Sequence, residues 1–346
     1  MSASTPSAII SAIRPAFDKG KESGDLLFFP SQTHTHKDLS IDFEIRLCPA
    51  LLQKPEMPTP QFDASGREKA NLKEKEKRGD VFEPPYNPNL YVGELQDEEE
   101  GAEYVVLLNK YSVVEEHFLL VTKEFQSQTA PLRPGDLVQS YLLLHAARAA
   151  GKHLFAFYNC GDLSGASQPH KHLQFFPTDN EDGPPIERLA RAARIDKDDK
   201  PFSLSALPFA NHVRRLALPV SATRARAELE PALTEAFLEL LELCISTVRH
   251  TADYPAGPPS YNVVLTLGHM YVFPRLRETH VLAMSREPLG VNALGFAGLL
   301  LVKSAAELEA VRAEGPGNVL KGVGCESVHE MQVAGGPELD GDIGTA

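Results

Sequence analysis

The sequence predicts an α+β protein, built as one large domain or as two packed halves, and three features carry that reading. At 346 residues the chain is long enough to bury a large core. Apolar runs at 103–125, 153–177 and 261–278 are each broken near the middle by polar or small residues, as paired strands are. Between them lie stretches with apolar residues at helical spacing.

From the N-terminus, residues 1–24 read as an amphipathic helix with Ile9, Ile10, Ile13 and Phe17 on one face. The patch lacks the basic flank and the length of a secretory signal. The segment SQTHTHKD, with His34 and His36, reads as an exposed loop. IDFEIRLCPALLQKP alternates apolar and polar residues and then turns at prolines, so a strand should lead into a loop carrying Lys54. Arg46 and Lys54 are both candidates to contact phosphate. Residues 64–80 are a dense mixed-charge run, expected to be a solvated, mobile linker.

The strand pair at 103–125 places Asn109 and Lys110 at the end of its first member and His117 at the opening of its second. Asp136 should cap a helix that ends at Gly151. Beyond the central stretch come an acidic loop, a short basic helix near 186–195, and a helix over roughly 227–250 with Leu233, Phe237, Leu240, Leu241 and Cys244 on one face. Two strands at 261–278 leave Arg275 and Arg277 just past a proline. NALGFAGLLLVK closes the core, and the Gly-rich, acidic stretch from about 315 to 346 reads as a weakly ordered tail.

Composition narrows the function. Asp and Glu number 47 against 34 Lys and Arg, a net charge of -13, which argues against broad nucleic-acid binding. An anionic ligand would need a locally basic pocket. The four cysteines, at 48, 160, 244 and 325, are scattered without a C-x-x-C pair and read as reduced thiols. No run is long and apolar enough to span a bilayer. These features together suggest an intracellular protein.

The chemistry concentrates in HLFAFYNCGDLSGASQPHKHLQFFP, from position 153 to 177. A strand places alternate side chains on one face, so His170, His172 and Gln174 should point one way and Lys171, Leu173 and Phe175 the other. Before them, Gly161, Ser164, Gly165, Ala166, Ser167 and Gln168 form a small-residue loop able to turn tightly and bring N–H donors to phosphate oxygens. A neutral imidazole beyond such a loop can attack phosphorus or bind a metal. The plainer alternative is a hairpin strand with two exposed histidines.

NCGDLSGASQPHKHLQFFP resembles the active-site segment of the histidine-triad superfamily in its H-x-H-x-Q form. FEIRLCPALLQKP, LLNKYSVVEEHFLLVTKEFQSQ, YNVVLTLGHMYVFPR and NALGFAGLLLVK resemble, in the same order, their counterparts in the fungal-type diadenosine tetraphosphate phosphorylases, also called ATP adenylyltransferases. The likeness covers about residues 28–310. It departs at Gly268 and His269, where the family often has a bulky aromatic.

The resemblance implies a histidine-triad α+β fold, a mostly antiparallel sheet with helices packed on one side, in a single domain over 1–315. It also implies a mechanism. His172 would attack the α-phosphorus of diadenosine tetraphosphate, expel ATP and carry adenylate, and inorganic phosphate would then release ADP. The His170 carbonyl should fix the tautomer of His172, and the loop from Ser164 to Gln168 should stabilise phosphoryl charge. Asn159 should orient phosphate or ribose, Gln174 should donate to phosphate, and Lys54, Lys110 and Arg275 should clamp the chain of phosphates. His117 could line the pocket or serve structure. Mg²⁺ or Mn²⁺ is expected to travel with the polyphosphate, with no tightly bound cofactor. A cytoplasmic monomer or homodimer is implied, with nuclear entry left open.

Three rivals share the motif. A galactose-1-phosphate uridylyltransferase would use the same covalent logic, and a hydrolase would use water as acceptor. A zinc-binding regulatory protein would need two further ligands beside His170 and His172.

Overall fold

The computed structural model describes residues 4–52, 80–97, 99–216, 218, 226–329 and 332–333. In chain order, α1 (Pro6–Ser23) precedes β1 (Leu27–Phe28), β2 (Gln32–Asp38), β3 (Ile41–Leu47), β4 (Tyr91–Gln96), β5 (Glu103–Leu108), β6 (Tyr111–Ser112) and β7 (Phe118–Thr122). Helix α2 (Pro134–Ala149), β8 (Leu154–Cys160), β9 (His172–Pro177), α3 (Pro185–Ala192), β10 (Phe202–Ser203), β11 (His212–Arg215) and α4 (Arg226–His250) follow. The chain continues through β12 (Tyr261–Leu265), β13 (His269–Pro274), β14 (Thr279–Val281), β15 (Pro288–Gly290), α5 (Ala293–Ala297), β16 (Leu299–Val302), α6 (Ala305–Glu314), α7 (Pro316–Lys321) and β17 (Gln332–Val333). No helix among the described residues is long and apolar enough to cross a membrane.

The central element is a ten-stranded sheet in the order β17-β10-β11-β13-β12-β8-β9-β7-β5-β4. Its pairings are antiparallel apart from β10 with β17. On one face Leu173 and Phe175 of β9 pack with Ile9, Ile13 and Phe17 of α1, Leu137 and Leu144 of α2, and Leu233, Phe237 and Leu240 of α4. Those residues recur at intervals of three, four or seven positions, so each helix turns one apolar stripe to the sheet. On the other face Phe155, Phe157 and Phe176 pack with Phe43 and Ile45 of β3, Ile186 of α3 and Phe296 of α5. The sheet is therefore covered on both faces, and the expectation of helices on one side is corrected: α3, α5, α6 and the small sheet β16-β3-β2 form a second layer.

Three local expectations also change. SQTHTHKD is a strand, β2, paired with β3 in register from Gln32↔Leu47 to Asp38↔Ile41. It lies at the edge of its sheet, where polar side chains are tolerated and even discourage further pairing. Helix α2 begins at Pro134, ahead of Asp136, because proline suits the first helical turn. Asp136 Oδ2 accepts the Arg133 N–H at 2.8 Å. The tail begins later than composition suggests: α7 packs Val319 and Leu320 into the second core, followed by buried Val323 and Cys325. Of the linker at 64–80, only Asp80 lies within the described residues.

Candidate active site

Strand β9 is paired on both edges, with Val121 opposite His172, and Leu119 and Phe157 opposite Gln174. Residues directly opposite share a face, so His172, Gln174 and Phe176 form one row. An apolar wall of Phe82, Val105, Leu107, Leu119 and Val121 flanks it on the β7 side, with Phe155 and Phe157 of β8 on the other. Lys171 points to the opposite face, as alternation predicts. Its buried ammonium donates to Asp136 Oδ2 at 3.0 Å and to the Pro131 carbonyl at 2.9 Å.

The His172 ring is buried, with Nδ1 2.8 Å from the His170 carbonyl, the acceptor anticipated from the sequence. A carbonyl can only accept, so the proton is on Nδ1 and the lone pair on Nε2. Burial pulls the pKa of His172 down to about 4; the His170 carbonyl opposes that pull and the neighbouring His170 ring adds to it. At neutral pH the ring is thus uncharged, with its lone pair on Nε2.

Gln174 has its orientation set from behind. His117 Nε2 lies 3.0 Å from Gln174 Oε1, and His117 Nδ1 lies 3.0 Å from Asn109 Nδ2. An amide NH₂ can only donate, so Nδ1 accepts and Nε2 carries the proton that Gln174 receives. The Gln174 oxygen is occupied, and its NH₂ is the end left to face a ligand. Asn109 Oδ1 accepts the Tyr111 N–H at 3.3 Å, consistent with that placement. Burial lowers the pKa of His117 to about 4 as well. Asn109 thus meets the site through His117.

The small-residue loop is shaped by two glycines. Gly161 has φ +89°, and a Cβ there would sit 2.5 Å from Ser260 Oγ; Gly165 has φ +78°, and its Cβ would meet the Val291 carbonyl at 2.7 Å. Only glycine fits both the left-handed backbone and the close approach. Ser164 is buried and its hydroxyl donates to the Gly161 carbonyl. Ala166, Ser167 and Gln168 are half-buried and lead directly into His170. Asn159 is buried, and its Oδ1 accepts from Asn262 Nδ2 at 2.8 Å and from the Ala293 N–H at 3.0 Å, tying β8 to β12 and to the start of α5.

Arg275, expected to clamp the phosphates, has its guanidinium engaged by protein acceptors. It is fully buried, and its guanidinium donates to Asn262 Oδ1 at 2.5 Å and to the carbonyls of Ser164, Arg277, Glu278 and Val291 at 2.8–3.3 Å. Five planar donors suit a cluster of carbonyls better than one anion here, and burial lowers its pKa to about 9. Arg275 braces the loop from behind. Lys110 is exposed, with Nζ 5.7 Å from the Tyr111 ring centroid. Lys54 lies outside the described residues. Arg46 reaches over Phe176 at 5.9 Å while bonded to Glu44 at 3.0 Å. The buried thiol of Cys160 is pushed up to about 11 and is inert beside the site.

Sequence reasoning missed Gln128, whose Oε1 accepts the His172 N–H at 2.8 Å while its Nε2 donates to the Asn159 carbonyl at 2.7 Å. It also missed Asn262, Thr122 and Asp80. Nothing local marks these residues, because each matters through a partner distant in sequence. At the departure noted above, Gly268 leaves room for Glu187: a Cβ there would lie 2.8 Å from Glu187 Oε1. That buried carboxylate accepts from His269 Nδ1 at 2.8 Å, Tyr271 at 2.7 Å and Thr266 at 2.9 Å. Although burial pushes its pKa up, those bonds hold it below the usual carboxylate range.

Comparisons with known proteins place the chain in a family. Residues 1–192 match the family model for the Ap4A phosphorylase N-terminal domain, and residues 205–326 match that for the ATP adenylyltransferase C-terminal domain. The chain is 29% identical over 313 residues to diadenosine 5',5'''-P1,P4-tetraphosphate phosphorylase 2 of Saccharomyces cerevisiae, covering 86% of this chain and 88% of that protein. It is 30% identical over 311 residues to protein APA1 of the same yeast, covering 87% and 88%. The crystal structure of yeast Ap4A phosphorylase Apa2 superposes with a TM-score of 0.75 at 25% identity, over 95% of this chain and 100% of that one. The Apa2 complex with Ap4A gives a TM-score of 0.72 at 25% identity, over 93% and 98%.

Proposed function

Because this chain belongs to the Ap4A phosphorylase family and is a nucleotidyltransferase, we propose that it cleaves diadenosine tetraphosphate with inorganic phosphate to ADP and ATP, reversibly, through adenylate carried on His172. The observation that supports this best is the pairing of a neutral, tautomer-fixed His172 with a Gln174 amide whose NH₂ is turned outward.

In the first step the His172 Nε2 lone pair attacks the α-phosphorus, the bond to the bridging oxygen breaks, and ATP leaves with that electron pair. In the second, a phosphate oxygen attacks the same phosphorus, the P–N bond breaks, and ADP forms. Two in-line inversions give retention at phosphorus. The loop from Ser164 to Gln168 offers N–H groups to the non-bridging oxygens, and the Gln174 amide donates to a phosphate or leaving oxygen. ATP is a good leaving group, so an amide suffices where a hydrolytic relative would use a third histidine. An amide is also no general base for water, which favours phosphate as acceptor. Mg²⁺ or Mn²⁺ carried by the polyphosphate belongs to the same proposal, as substrate rather than resident metal. Lys54 and Lys110 remain proposed contacts for the phosphates.

The test is chromatography of products from diadenosine tetraphosphate with and without phosphate, beside His172→Ala. Equal ADP and ATP only with phosphate, and an inactive variant, are expected. AMP and ATP without phosphate would make the protein a hydrolase.

A further inference from the structure

Asp80 stands at the end of the mixed-charge linker, 90 residues before the histidine motif, yet its carboxylate is built into the site. Its Oδ2 lies 2.6 Å from His170 Nδ1, and its Oδ1 accepts the Phe82 N–H at 2.9 Å. The second bond turns the chain so that the Phe82 ring packs against the His172 ring, centroids 5.3 Å apart at 53°. His170 is itself buried, and its Nε2 lies 2.6 Å from the Thr122 carbonyl.

A neutral imidazole has one N–H and one lone pair. Here both ring nitrogens face groups that accept: a carboxylate at one and a main-chain carbonyl at the other. Both short contacts are satisfied only when both nitrogens carry protons. The Thr122 hydroxyl, 3.1 Å from Nε2, could donate to a lone pair there, but that would leave the closer carbonyl facing the same lone pair.

We propose that Asp80 is a positioning residue for adenylyl transfer: it holds His170 as an imidazolium and so fixes the carbonyl that sets the tautomer of His172, while its other oxygen sets Phe82 against the nucleophile's ring. One carboxylate thereby controls the register of both histidines. The inference rests on the nucleophile assignment given above.

Asp80→Asn tests it. The amide is isosteric, keeps an acceptor for the Phe82 N–H, and can donate to His170 Nδ1, which leaves that ring neutral. Two readouts are compared at pH 7.5. Nitrogen-15 spectra of ring-labelled histidine report protonation, and single-turnover adenylylation by diadenosine tetraphosphate reports chemistry. Expected are two protonated nitrogens on His170 in the native protein and one in the variant. The adenylylation rate should fall roughly 10- to 100-fold, as for a small misplacement of a reacting group, with substrate affinity changed less than about threefold. A singly protonated His170 in the native protein, or a variant adenylylating at the native rate, overturns the proposal. The native spectrum decides the ion pair even if the variant folds poorly. Failure of the native protein to form any adenylyl intermediate would instead strike the proposed function, and the ring spectrum keeps the two failures apart.

Discussion

His117 Nε2 donates to Gln174 Oε1 across 3.0 Å, and because Asn109 supplies the proton accepted at the other ring nitrogen, the bond has only one polarity. Gln174 cannot flip without leaving its own NH₂ against an N–H. His117→Ala should release that constraint: kcat is expected to fall about tenfold or more, with a loss of about 1–3 kcal/mol of stability from the unpaired Asn109 and Gln174 amides. Steady-state phosphorolysis and urea unfolding measure both.

The buried histidines predict an acid-side loss of stability. Burial lowers His117, His172 and His212 to about 4 each, below the usual value near 6.5. Between those values the unfolded chain binds more protons than the folded one, so stability rises with pH across the window and falls as pH drops from about 6.5 towards 4. Each group contributes at most about 1.4 kcal/mol per pH unit. The midpoint of urea unfolding, followed from pH 7.5 to 4, should decline through that window; His212→Gln should shallow the slope.

Arg275→Lys separates a brace from a clamp. A single ammonium cannot replace the planar fork that reaches Asn262 and four carbonyls. Stability should fall by about 3–5 kcal/mol, as when one partner of a buried polar network is removed. A direct clamp would show instead as a rise in KM that depends on ionic strength, with stability near native. Thermal unfolding and KM at two salt concentrations distinguish the cases.

Gly165→Ala should strain the small-residue loop before the histidine motif. A methyl group at φ +78° would also meet the Val291 carbonyl at 2.7 Å, so a cost of about 1–3 kcal/mol is expected. The loop must shift to relieve it, and KM for the dinucleotide should rise. Gly151→Ala, also at positive φ but with open space around it, is the control: it should lose stability and leave KM near native.

Some of the site was legible because its signals are local. Alternation along β9 requires only that the segment be a strand, so the shared face of His172 and Gln174, the turn of Lys171 to the opposite face and the small-residue loop before them could all be read from consecutive residues. The helical stripes of α1 and α4 were legible for the same reason. The edge strand β2 was not, since its polar alternation matches a loop until β3 is beside it. The buried end of the chain was hidden because Val319, Leu320, Val323 and Cys325 sit among glycines and charges that dominate its average composition.

Consecutive residues specify the motif, its strand periodicity and the order of segments around it. The folded chain selects the distant residues that serve that motif: Asp80 with His170, Asn109 and His117 with Gln174, Gln128 with the His172 backbone, and Arg275 behind the loop rather than in front of it. The physical reason is that a buried donor or acceptor must be paired, and its partner is chosen by the fold across tens of residues, a choice that no local pattern records.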